Sequence, residues 1–126
     1  MYRVEIASNG GSPFNVKSKD YNFVIDTEGN GISPPAALLA SLGSCIGVYI
    51  RKYCDGAHLA LGYFKISVEA DFSKELPLSF KTINVLIDLE DAKLDEHRKR
   101  ALLEFIKNCP VHNTLKASPD VQFVIA

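Results

Sequence analysis

The sequence predicts an α+β fold in a single domain over residues 1–126, and three observations lead to this prediction. Strand and helix patterns come in blocks, which favours antiparallel sheets over an alternating parallel one. One run, over 33–54, is apolar on nearly every side, which is typical of a buried helix. Hydrophobic residues make up 47% of the 126 and charged residues 23%, a balance that favours a packed core over disorder.

Three short strands are predicted at the start of the chain. Apolar and polar residues alternate over 2–7, which indicates a strand, and the NGGSP sequence at 9–13 is typical of a turn. Residues 14–18 and 21–26 form two further strands around a polar turn at Lys19-Asp20.

The long central helix is predicted from Ser33, a suitable N-cap, through Pro34 and Pro35 in its first turn, to Asp55-Gly56. Its small residues would let another part of the backbone come close. A helix this apolar needs a cover on most of its sides, and a single sheet covers only one. We therefore expect a homodimer that shares this helix at its interface.

The second half of the chain predicts a hairpin, two helices and a last strand. Alternating residues indicate strands over 64–72 and 79–90, and a change of phase after Phe80 indicates a β-bulge near Lys81-Thr82. An amphipathic helix follows over 94–108, then a short helix from Pro110 to about Lys116 and a strand over 121–125.

Charge and cysteine content restrict the function classes. A net charge of −1 and the lack of a basic run argue against nucleic-acid binding, and no segment suits a membrane span or a signal peptide. Three cysteines, an odd number, with no secretion signal predict free thiols in a reducing cytoplasm.

The three thiols differ in position. Cys109 precedes Pro110 at the mouth of a predicted helix, where free N–H groups and the macrodipole should help the thiol to ionise. Cys45 lies within the apolar helix, and its position alone is typical of a small core residue. Cys54 lies near the end of that helix, where an incidental thiol is the simplest interpretation.

A thiolate–imidazole metal site is one alternative that these residues leave open. Cys109 and His112 stand one helical turn apart, with Cys45 as a third ligand. No CxxC and no second histidine pair supports such a site, so we predict neither a metal nor another cofactor.

Two motifs together resemble the signature of the OsmC/Ohr family, named for osmotic induction and organic hydroperoxide resistance. The first is SPPAALLASLGSC, ending at Cys45, and the second is NCPVHNTL, containing Cys109. The order of the predicted elements is also similar over nearly the whole chain. The resemblance implies an OsmC-like fold: antiparallel sheets around a long buried central helix, in an intertwined homodimer.

The resemblance also implies a peroxiredoxin-like chemistry in an oxidative stress response. Cys45 would be the thiolate that attacks an organic hydroperoxide, Cys109 would resolve the resulting sulfenic acid as a disulfide, and a dithiol would reduce that disulfide. Peroxidases of the family stabilise the first thiolate with an arginine from an early strand or turn, and a glutamate early in the long helix holds that arginine. Here the glutamate position falls on Pro35 or Ala36, and the early segment NGGSPFNVKSKDY, residues 9–21, contains no arginine. We therefore expect weak activity. The alternative is a non-catalytic or redox-responsive dimer.

Apolar residues of the long helix would suit an organic substrate. We assign Leu39, Leu42 and Tyr49 to substrate binding, together with His112. The apolar three are more simply explained as core, and His112 as a polar surface residue or a modest aid to the nearby thiol.

Overall fold

The computed structural model of the protein describes residues 1–90 and 92–126. Within them the chain forms five strands and three helices, so the predicted α+β class with antiparallel sheets is confirmed. The residues divide into two compact units, Met1–Ala40 and Ser41–Ala126. A single domain over the full length stays a prediction. No helix among the described residues is long and apolar enough to cross a membrane.

The first unit is built on a three-stranded antiparallel sheet in the order β1 (Glu5–Ala7), β2 (Phe14–Ser18), β3 (Tyr21–Ile25). β1 begins three residues later than the predicted strand over 2–7. Glu5 pairs with Lys17, one residue before the end of β2, so residues 1–3 run past the end of that strand, where the chain turns. Val16 of the central strand is the buried side chain of this sheet.

A tight loop after β3 is organised by Asp26, which is only 2% exposed. Its carboxylate accepts hydrogen bonds from the amides of Glu28, at 3.0 Å, and Asn30, at 3.2 Å. Gly31 has no room for a side chain, because a Cβ there would lie 2.5 Å from the carbonyl oxygen of Val24. These contacts fix the loop that leads into the first helix.

Helix α1 (Pro34–Gly56) runs from the first unit into the second. The predicted N-cap is present, since the Ser33 hydroxyl accepts a hydrogen bond from the Ala36 amide at 3.3 Å. The side chains on its covered side are spaced four residues apart: Leu42, Ile46, Ile50 and Cys54. Val48, away from that stripe, is 51% exposed. One chain therefore buries one side of the helix, although the sequence is apolar nearly all round.

Strands β4 (Lys65–Phe72) and β5 (Phe80–Asp88) form the antiparallel hairpin of the second unit. Ala70 pairs with Ile83 and Phe72 with Phe80, which leaves two residues of β5 opposite one of β4. The predicted bulge at Lys81-Thr82 is thus confirmed. The helix lies close to this sheet, because a Cβ on Gly43 would be 3.0 Å from Val68 Cγ2.

Helices α2 (Glu96–Ile106) and α3 (Pro110–Ala117) follow, close to their predicted positions. The Asp95 side chain caps α2 by accepting from the Arg98 amide at 2.7 Å. The predicted strand over 121–125 is wrong, since those residues form no strand. Within the described part of the chain they pair with no other strand, and Phe123 and Ile125 are 89% and 97% exposed. Alternation alone does not make a strand when no edge is there to pair with.

Candidate active site

The first turn of α3 holds the Cys109 sulfur. Cys109 is the N-cap, and its Sγ accepts a hydrogen bond from the His112 amide at 3.4 Å. The Val111 amide is a second backbone partner of this sulfur. Because Pro110 has no N–H, these are the first free donors of the helix, and both face the thiol. The side chain itself is completely buried.

Burial decides the protonation of Cys109. It raises the pKa of the thiol, and a hydrogen bond with the Cys45 side chain raises it further. The amides of His112 and Val111 lower it, but by less. The expectation that the helix mouth would make this thiol ionise more readily is therefore wrong. The two hydrogen bonds from the amides are present, but burial and the contact with Cys45 together outweigh them.

Cys45 lies on α1 as the side-chain partner of Cys109, and both thiols are reduced. The two residues are far apart in sequence and belong to the same compact unit. Their exposure differs, because Cys45 is partly accessible while Cys109 is fully enclosed. Cys45 is therefore the more accessible residue of the pair.

An apolar core surrounds the pair. The buried members of this core are Leu42, Ile46, Ile50, Cys54, Leu102 and Cys109. Tyr49 packs against it from α1, and its ring centroid lies 5.9 Å from that of Phe105 on α2. The Lys52 ammonium lies 4.8 Å from the centroid of the Tyr49 ring. The thiols therefore occupy a mainly hydrophobic environment.

The residues assigned to substrate binding differ in burial. Leu42 is buried in the core, Tyr49 is partly buried at its margin, and Leu39 is a partly buried residue of the first unit. His112 is partly buried on α3, and its Nδ1 is a buried atom without a hydrogen-bond partner in the described part of the chain. Their binding role stays a prediction.

The structure also locates the groups considered for metal binding and the arginine of α1, Arg51. Across residues 1–90 and 92–126, no three His, Cys, Asp or Glu side chains converge in a way that could hold a metal ion. The Arg51 guanidinium donates to the carbonyls of Leu61 and Gly62, at 2.7 Å to the latter, and its Cζ lies 4.7 Å from the centroid of the Phe64 ring. This arginine is engaged in fixing the loop that precedes β4.

Two features of the structure were missed at the level of sequence. Cys54 is 3% exposed, and burial raises the pKa of its thiol, so it is a core residue and not an incidental one at a loose helix end. Asp26 was placed at the end of a strand with no role. The signal was present, because Asp before a Gly- and Asn-containing loop is typical of a side chain that accepts from nearby amides.

These elements define a class of protein: an α+β chain in which a partly exposed thiol on a long helix touches a buried thiol at the start of a short one. Comparison with known proteins places it more closely. The pattern of the OsmC family, described as OsmC-like protein, matches residues 27–124. The chain belongs to this family. No curated protein matches it.

Solved structures share its fold at low sequence identity. An OsmC-like protein from Mycoplasma pneumoniae is 20% identical, with a TM-score of 0.79, over 92% of this chain and 87% of that one. The organic hydroperoxide resistance protein OhrB of Bacillus subtilis is 16% identical, with a TM-score of 0.68, over 97% and 95%. An organic hydroperoxide resistance protein OsmC from Legionella pneumophila is 19% identical, with a TM-score of 0.66, over 97% and 93%.

Proposed function

We propose that the protein is a thiol-dependent reductase of organic hydroperoxides, with Cys45 as the attacking and Cys109 as the resolving thiol. The observation that carries this proposal is the contact between a solvent-accessible and a buried thiol within one unit. Family membership adds support, as do the two structural neighbours named for organic hydroperoxide resistance.

The chemistry needs only these two sulfurs and two co-reactants. The Cys45 thiolate attacks the terminal oxygen of the hydroperoxide, the O–O bond breaks, and the alcohol leaves after taking up a proton. Cys45 is then a sulfenic acid. Cys109 attacks that sulfur, water leaves, and a disulfide joins the two residues. A dithiol reductant restores both thiols by exchange.

Access favours this division of roles. The oxidant must reach the attacking sulfur, and Cys45 is the partly accessible member of the pair. The resolving thiol needs to meet only the sulfenic acid, so complete burial does not prevent its reaction. We assign Leu39, Leu42, Tyr49 and His112 to binding of the organic part of the substrate.

The same site predicts slow turnover. Burial keeps Cys109 protonated, which slows its attack on the sulfenic acid, because the thiolate is the nucleophile. The Arg51 guanidinium donates its hydrogen bonds to the carbonyls of Leu61 and Gly62, so it is not placed to stabilise a thiolate. A redox-responsive dimer without peroxidase activity is therefore the second candidate.

We further propose that the protein acts as a cytoplasmic homodimer. Apolar side chains lie exposed on α1 and along the C-terminal segment, where Val48 is 51% and Val124 is 93% exposed. A second copy of the chain would cover such surface. Sedimentation of the purified protein would test this assembly.

The test is consumption of cumene hydroperoxide with a dithiol reductant. We expect measurable turnover by the wild-type protein, none above background for Cys45→Ser, and a single turnover that stops at the sulfenic acid for Cys109→Ser. Cys54→Ala is the matched control, because it removes the third thiol and should leave the rate unchanged. Equal inactivity of wild type and Cys45→Ser would reject the peroxidase in favour of the second candidate.

A further inference from the structure

Two Asn-Gly sequences lie in loops of the first unit, and the structure gives them different surroundings. Asn9-Gly10 lies in the turn between β1 and β2, and Asn30-Gly31 lies in the loop between β3 and α1. Asparagine before glycine is the sequence most open to spontaneous deamidation, because glycine has no side chain to hinder the backbone nitrogen that attacks. Both asparagines are exposed, so access to water does not distinguish them.

The turn at Asn9 leaves the attacking nitrogen outside the sheet. The ladder between β1 and β2 ends at the pair Ala7 and Asn15, so the backbone of the turn lies beyond it. Gly10 has a φ of +91°, and a Cβ at that position would meet nothing within 4 Å. Its amide donates to the Ser8 hydroxyl at 3.4 Å, which is a long hydrogen bond. The turn can therefore rearrange around Asn9 without breaking contacts with a strand.

The loop at Asn30 is held at several points. The Asn30 amide donates to the buried Asp26 carboxylate at 3.2 Å, and the Asp26 amide donates to the Ile32 carbonyl at 3.0 Å. Gly31, whose nitrogen would have to attack, lies directly against β3, because a Cβ on it would be 2.5 Å from the Val24 carbonyl oxygen. Ring closure at Asn30 therefore requires these contacts to open first.

We propose that Asn9 is a site of spontaneous deamidation in the folded protein and that the loop held by Asp26 protects Asn30 from the same reaction. The Gly10 nitrogen forms a bond to Cγ of Asn9 while the bond from Cγ to Nδ2 breaks, and the proton of that nitrogen leaves with ammonia. Water then opens the resulting succinimide at either carbonyl, which gives aspartate or isoaspartate and adds a negative charge to the turn. The inference does not depend on the proposed function, since it involves neither thiol of the pair.

The test follows both asparagines during incubation of the reduced wild-type protein at mildly alkaline pH. Trypsin separates the two sites, because Lys17 and Lys19 lie between them in the sequence. Mass spectrometry gives the rate at which each peptide gains the mass difference between asparagine and aspartate, and fragmentation identifies the residue. The same incubation in urea gives both rates without the tertiary structure.

We expect Asn9 to deamidate about tenfold faster than Asn30 in the folded protein, because the reaction at Asn30 must wait for its loop to open locally. In urea the two rates should agree within about threefold, since the contacts of the loop are lost. Equal rates in the folded protein, a faster reaction at Asn30, or the same tenfold ratio in urea would overturn the proposal. So would a folded protein in which Asn9 does not react while it reacts in urea.

Two variants test the individual residues. Asn9→Gln should abolish the early mass increase, because attack on the longer side chain closes a larger ring much more slowly. Asp26→Ala removes the acceptor for the Asn30 amide and should speed deamidation of Asn30 several-fold in the folded state, with the rate at Asn9 unchanged. An unchanged rate at Asn30 in folded Asp26→Ala would contradict the protection by this carboxylate. Should that variant fail to fold, the comparison of wild-type protein with and without urea decides the proposal on its own.

Discussion

Asp26 in the first unit and Cys109 in the second are both almost completely buried, at 2% and 0% exposure, yet their pKa values move in opposite directions. The pKa of the Asp26 carboxyl is lowered, chiefly by the hydrogen bond from the Glu28 amide and then by the Ser12 side chain. The pKa of the Cys109 thiol is raised, chiefly by burial.

The difference lies in the number and direction of the hydrogen bonds that each group makes. Asp26 accepts from Ser12, Glu28 and Asn30, and together these donors favour the charged form more than burial disfavours it. Cys109 also accepts from two amides, but its contact with Cys45 favours the protonated form. Burial therefore does not fix the charge of a group without a count of the donors around it.

The largest expected effect comes from placing a carboxylate in the surroundings of the thiol. Cys109→Asp should lower the free energy of unfolding near pH 7 by about 1–3 kcal/mol relative to Cys109→Asn, because its charge is buried with too few donors. Its folded pKa should be raised, so stability should be greatest below the unfolded pKa of about 3.9 and fall as pH rises through the folded value. Denaturant unfolding of both variants from acid to neutral pH measures this dependence. If the difference between their free energies of unfolding narrowed as pH rises, the amides would outweigh burial.

A smaller loss of stability, with the opposite pH dependence, is expected at Asp26. Asp26→Asn should lower the melting temperature near neutral pH, because the amide side chain cannot reproduce the two-oxygen acceptor for the Glu28 and Asn30 amides. Since the folded pKa is lowered, the stabilisation is complete above the ordinary value of 3.8 and is lost as pH falls through the folded value. Thermal unfolding at several pH values should show that the difference in melting temperature between Asp26→Asn and wild type disappears in acid. Asp20→Asn, on an exposed turn of the same unit, is the control and should leave the melting temperature nearly unchanged.

The smallest effect is expected at Cys54, a buried thiol outside the pair. The pKa of its thiol is raised chiefly by burial, and the neighbouring charge of Asp55 raises it further. Cys54→Ala should lower the free energy of unfolding by about 1 kcal/mol, because the substitution removes one buried atom similar in size to a methylene group. Denaturant unfolding measures this loss.

In the folded wild-type protein, we also expect Cys54 to react with iodoacetamide more slowly than Cys45. Mass spectrometry of the labelled peptides gives the order. Labelling of Cys54 before Cys45 would mean that the second unit opens around the end of α1 more readily than the structure indicates.

Local patterns located most of the elements, and the errors occur where a partner decides the outcome. Ser33 and Asp95 begin helices as N-caps do in general, and the change of phase after Phe80 located the bulge. The strand over 121–125 failed because a strand needs an edge to pair with. The acidity expected of Cys109 failed because the sequence shows the helix mouth but not the burial that outweighs it.

The sequence by itself determined the α+β order, the N-cap position of Cys109 and the spacing of residues that makes one side of α1 apolar, because caps and periodicity depend on neighbours within a few positions. Only the tertiary structure decided that Cys45 meets Cys109 and that the loop before β4 holds Arg51. It also decided that the pKa of the Asp26 carboxyl is lowered and that of the Cys109 thiol is raised. Contact across distant segments and the loss of water around a group arise from packing, and no local pattern encodes either one.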